Sequence, residues 1–187
     1  PYVREYVTGN WDDFDGRLIA DGVGTEKDGT QLMLNNGAGI RNAVVELKGN
    51  TRVICWKAGA TYRLGGLSGT SSTYLSGASK NTDNTTMTWI VGGANTDETF
   101  AGVIDNRCSA SGHNAKVSIV KEGRGDWRLT GKNIYSGPTT VNEGRLVVNG
   151  SLTGTGAVTV NDGGTLSGKG SVAGRVTANA GGRVQVG

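Results

Sequence analysis

The chain has 187 residues, enough for one sizeable domain, and 33 of them are glycine, about 18% against a usual level of about 7%. With 21 Thr, 15 Asn and only 2 Pro, the composition argues against a collagen-like chain and against a helical bundle, and it points to many short strands and tight turns. The 19 basic and 16 acidic residues give a net charge of +3, but they are interspersed, as in Lys121-Glu122-Gly123-Arg124-Gly125-Asp126, so no basic stripe predicts a nucleic-acid partner.

The chain opens at Pro1 and reads as a piece of a larger protein; no apolar run approaches the roughly 20 residues that span a bilayer. In chain order, the first pattern is an Asn-containing turn followed by an aromatic-x-Gly. Gly9-Asn10-Trp11 leads to Phe14-Asp15-Gly16-Arg17-Leu18, and the same device recurs from Gly93-Ala94-Asn95 to Phe100-Ala101-Gly102 and from Gly131-Lys132-Asn133 to Tyr135-Ser136-Gly137. Each aromatic is expected to plug a coil interior while the glycine lets the backbone bend beside it. Asp12, Asp13 and Asp15 surround the first plug. They read either as a calcium or catalytic patch or as a solvated turn, and the absence of matching acids in one of the other copies favours the turn.

Val53-Ile54-Cys55-Trp56 and Met87-Thr88-Trp89-Ile90 are strand-like bursts whose tryptophans are expected in the core. Residues 67–85, rich in Ser, Thr and Gly, are expected to leave the body of the fold as a loop. Cys55 and Cys108 are two buried thiols or one disulfide, and the spacing leaves both open. His113 is the only histidine, so no zinc site is expected and no other metal or cofactor is called for.

The C-terminal third repeats openly, in Thr140-Val141-Asn142-Glu143-Gly144, Thr159-Val160-Asn161-Asp162-Gly163 and Thr177-Ala178-Asn179-Ala180-Gly181. A period of roughly 18–20 residues is too short for a propeller blade and suits one coil of a parallel β-solenoid. Alternating apolar and polar residues then point into and out of the coil. About nine coils would make a rod roughly 45 Å long at the spacing of paired strands. An exposed last coil would invite end-to-end or edge self-association, or would be covered by further chain.

The run Gly131-Lys132-Asn133-Ile134-Tyr135-Ser136-Gly137-Pro138-Thr139-Thr140-Val141-Asn142-Glu143-Gly144-Arg145-Leu146 resembles the autotransporter-associated β-strand repeat. Its lead-in, Lys121-Glu122-Gly123 followed by Leu129-Thr130-Gly131, resembles that family too. The resemblance is clearest over residues 90–187. It implies an all-β, right-handed parallel β-helix over 1–187, belonging to a larger exported protein at the bacterial cell surface or outside the cell.

Three functions compete on this scaffold. The leading expectation is a non-catalytic rod or spacer of a surface protein, adhesin-like in its setting. The second is a carbohydrate-binding or adhesion module in which Trp11 and Tyr74, set beside polar turn sequence, stack on a polysaccharide or surface glycan. The third is a polysaccharide lyase or hydrolase, which needs two carboxylates about 5–9.5 Å apart on neighbouring coils. Ser111-Gly112-His113-Asn114 lacks the partners that pectin-degrading hydrolases carry, and no catalytic residue is assigned.

Overall fold

The computed structural model describes residues 4–9, 11–22, 29–35, 39–57, 59–80, 85–107 and 115–187. Cys108 and the 111–114 fragment lie outside the described residues, so the pairing of Cys108 does too. Among the described residues the regular structure is all strand, and every strand pairing is parallel. The chain winds as a parallel β-helix with three faces.

The first face is built from Thr86–Val91, Lys116–Lys121, Thr139–Val141, Val158–Val160 and Val176–Ala178, preceded by the opening halves of Gly39–Gly49 and Thr61–Gly69. The second runs through Arg17–Gly22, the closing halves of Gly39–Gly49 and Thr61–Gly69, then Glu98–Phe100, Asp126–Leu129, Gly144–Val148, Gly164–Ser167 and Arg183–Val184. The third holds Arg4–Val7, Thr30–Leu34, Thr51–Lys57, Tyr74–Lys80 and Val103–Ile104, and is continued by Lys132–Asn133, Ser151–Leu152 and Ser171–Val172.

The second face shows eight rungs among the described residues, rather than nine, or about 38 Å at the usual rung spacing. The difference has a simple origin. Val141 pairs with Val160, whereas Arg17 pairs with Val44, so the coil near the start of the chain is much the longer of the two. The C-terminal period does not hold there.

In-register stacking places like with like inside the coil. Leu32, Val53, Leu75 and Ile104 form one inward column, and Trp127, Leu146 and Leu166 another. Phe100 and Tyr135 are buried plugs as expected, while Phe14 in the first coil is only partly covered. Trp89 and Trp127 are also interior, and each indole N–H donates to a backbone carbonyl, of Ser76 and Leu67, at 2.9 Å. Residues 67–85 do not form a loop. A short turn at 70–73 joins two strands, Thr61–Gly69 and Tyr74–Lys80. Ser76, Gly77 and Ala78 are buried, so the small residues there reflect close rung packing rather than solvent exposure.

The corners explain the glycine content. At one corner Gly102, Gly131, Gly150 and Gly170 stack, and a methyl on any of the last three would collide with the carbonyl oxygen of the glycine one coil earlier. Gly137, Gly156 and Gly174 repeat this at a second corner. At the Asn-x-Gly corner, side chains add a ladder: the Asn161 amide donates to Asn142 Oδ1 and the Asn179 amide to Asn161 Oδ1, both at 2.7 Å. The repeated Asn of the sequence is therefore a rung of hydrogen bonds running up the rod.

Two glycines at this corner separate strain from contact. Gly123 has φ 72° and faces the carbonyl oxygen of Gly92, whereas Gly163 has φ 80° but its nearest foreign atom would stand 3.6 Å from an added methyl. Gly163→Ala should cost about 1 kcal/mol, the price of left-handed backbone for an L-residue. Gly123→Ala should cost about 3 kcal/mol or more, because overpacking adds to the same strain. Urea unfolding followed by circular dichroism measures both.

Candidate functional site

Trp11 and Tyr74, the two sugar-stacking candidates, lie apart. Trp11 follows the first strand, with its ring edge-on to Phe14 at 5.7 Å and its indole N–H donating to the Thr8 carbonyl at 2.8 Å. Tyr74 begins a strand three rungs further along the third face, and its ring carries the Arg52 guanidinium 4.2 Å from its centroid. Each ring already has a neighbour on one face, and the fold does not bring the two together.

The acidic cluster is split as well. Asp12 pairs with Arg41 at 3.5 Å, while Asp13 and Asp15 point to solvent. Among the described residues no group of three or more His, Cys, Asp or Glu side chains gathers as metal ligands would. Most of the other carboxylates are tied to guanidinium groups. Arg17 bridges Glu98 at 3.0 Å and Glu46 at 3.3 Å, and Glu46 also meets Lys48 at 3.1 Å. Glu122 pairs with Arg63 at 3.0 Å and Glu143 with Arg124 at 3.4 Å. Asp126 takes Arg128 at 2.6 Å and also Arg145, whose hydrogen bond, with its charge, holds the carboxyl below the usual carboxylate range. Arg52 and Asp105 form a buried pair at 3.1 Å, with the Ser76 hydroxyl donating to Asp105 at 2.6 Å.

The repeat motif itself sits inside the rod. Lys121 occupies an inward column otherwise filled by Val91, Val141 and Val160. Its ammonium donates to the carbonyls of Glu122 (2.7 Å), Gly123 (2.6 Å) and Glu143 (3.1 Å), so it ties two successive corners together. Asn133 is fully buried. Its Oδ1 accepts from the Ile104 N–H at 3.0 Å, and its amide donates to Gly131 and Ser151 carbonyls at 3.1 and 3.3 Å, joining three coils. The Tyr135 and Thr139 hydroxyls share a buried hydrogen bond. These side chains satisfy polar groups that stacking would otherwise leave buried and unpaired.

Residues 119–148, which contain these staples, match the family described as Passenger-associated-transport-repeat. The chain carries an autotransporter passenger repeat. Over 71 residues, 37% of the chain, it is 45% identical to a relative named Adhesin BmaC autotransporter from Brucella suis biovar 1 (strain 1330). That stretch covers 2% of the relative's length. No solved structure matches the chain. The passenger repeat and this relative indicate a secreted or cell-surface location. No helix among the described residues is long and apolar enough to cross a membrane.

One aromatic pair was not legible as a surface feature in the sequence. Trp56, expected in the core, points outward on the third face, with its ring 6.4 Å from that of Tyr6. The alternation was visible: Val53 and Cys55 face inward, so Trp56 falls on the opposite side.

Burial pushes the Lys121 ammonium down to about 8, although the charges of Glu143, Asp126, Glu122 and Asp97 work against that shift. The folded value lies below the unfolded one, so above pH about 8 the unfolded chain binds more protons. Stability should therefore rise with pH between about 8 and 10, by up to about 1.4 kcal/mol per unit. Tyr62 and Tyr135, pushed up to about 12 mainly by burial, act in the opposite sense only above pH about 10. Lys121→Met should flatten the rise, which urea midpoints measured across that window will show.

Proposed function

We propose that this chain is a non-catalytic, rigid segment of a larger adhesin-like passenger, holding other parts of that protein away from the cell surface. The observation that carries this reading is the disposition of the carboxylates. Glu46, Glu98, Asp105, Glu122, Asp126 and Glu143 each pair with an arginine, in most cases on another coil. A glycosidase needs one carboxyl kept protonated and another left to attack or to activate water. A carboxylate beside a guanidinium is held ionised and occupied, so these groups support cohesion between coils rather than catalysis.

The parallel stack also suits a spacer because its length is additive. Each coil contacts its neighbours alone, so stability and reach grow together as coils are added. The name of the relative supports an adhesive setting for the whole protein.

The test removes one coil from the full-length protein. Deleting residues 142–160 joins Val141 to Asn161 and takes out one whole coil between stacked positions. The rod should shorten by about 4.8 Å with its register intact. Cells displaying this variant should show unchanged surface exposure and unchanged adhesion. Adhesion lost while surface display persists would sink the spacer reading.

A further inference from the structure

We propose that Tyr6 and Trp56 form a sugar-stacking platform on the outer side of the third face, which takes the apolar face of a pyranose ring. Tyr6 pairs in register with Met33, and Met33 with Ile54. Trp56 lies just beyond Ile54 in the same strand, on the same side of the sheet and two rungs from Tyr6. The ring centroids are 6.4 Å apart and the planes meet at 58°, giving an open V rather than a closed stack. Met33 and Ile54, between the two ring-bearing positions in the sheet, are fully buried, so the platform rests on packed side chains. Tyr6 is 49% exposed, unlike Tyr62, Trp89, Phe100 and Trp127, which lie in the core.

The size of the patch decides the occupant. A protein partner needs about 800 Å² on each side. The other exposed large apolar side chains outside the last coil, Ile19 and Ile134, belong to a different face and a distant coil, so Tyr6 and Trp56 stand as a small isolated patch. A pyranose ring needs only such a footprint, since its C–H face packs on an aromatic ring while its hydroxyls reach polar neighbours. Glu5 and Lys57, the chain neighbours of the two rings, are exposed and offer those groups. This inference is independent of the spacer reading, because the coil deletion above leaves the platform in place.

The experiment is native gel electrophoresis of the whole chain through gels containing a neutral β-glucan, a neutral xylan or acidic hyaluronan. Retardation is expected on at least one gel and should persist at high salt, since stacking is not a charge effect. Tyr6→Ala should raise the apparent Kd about tenfold, the Tyr6→Ala/Trp56→Ala pair should abolish retardation, and Trp11→Ala should leave it unchanged. Circular dichroism checks that each variant folds. Because Tyr6 is half exposed, its single substitution stays informative even if loss of Trp56 disturbs the fold. No retardation on any gel, retardation that vanishes with salt, or retardation that survives Tyr6→Ala would each overturn the proposal.

Discussion

The structure depends on one constraint: successive coils must pair in register, backbone against backbone, at about 4.8 Å. On the faces, side chains alternate in and out and accommodate this spacing without difficulty. At the corners the chain turns within a few residues, and the carbonyl of one coil lies where a Cβ of the next would fall. Gly102, Gly131, Gly150 and Gly170 occupy those points at one corner, and Gly137, Gly156 and Gly174 at another. The high glycine content is thus the signature of a stack rather than of looseness.

The same geometry dictates where polar groups belong. Turns carry carbonyls and N–H groups into a region that the neighbouring coils then close. Asn133 and Lys121 reach into it and satisfy the backbone of two or three coils at once. Their cost is desolvation, most evident in the lowered proton affinity of Lys121. The outer faces show a surface counterpart, with guanidinium groups crossing rungs to carboxylates. Exposed pairs of this kind contribute little each. Their consequence is functional, since they occupy the carboxylates that hydrolytic chemistry would require.

A rod of this kind has no need of a pocket. Its outer surface is mostly small polar and charged side chains at regular spacing, so a pair of rings held at a fixed angle on a packed base stands out. Tyr6 and Trp56 provide this at the N-terminal end of the third face, while the motif that matches the passenger repeat is turned inward near the other end. Recognition and cohesion are therefore assigned to different residues.

The sequence by itself determined the architecture, because the stacking constraint is periodic and periodicity survives in one dimension. The regular spacing of Asn142, Asn161 and Asn179, the alternation of Val and Leu with polar residues, and the aromatic-x-Gly plugs all follow from a repeated coil. Where the coils lengthen, as between Arg17 and Val44, the period failed, and with it the count of nine and the reading of 67–85 as a loop. Only the tertiary structure decided which aromatics meet. Trp11 and Tyr74 are separated by whole rungs, while Tyr6 and Trp56, distant in the chain, share a surface. Contacts between coils depend on register, and register depends on the length of every turn between, which no local pattern records.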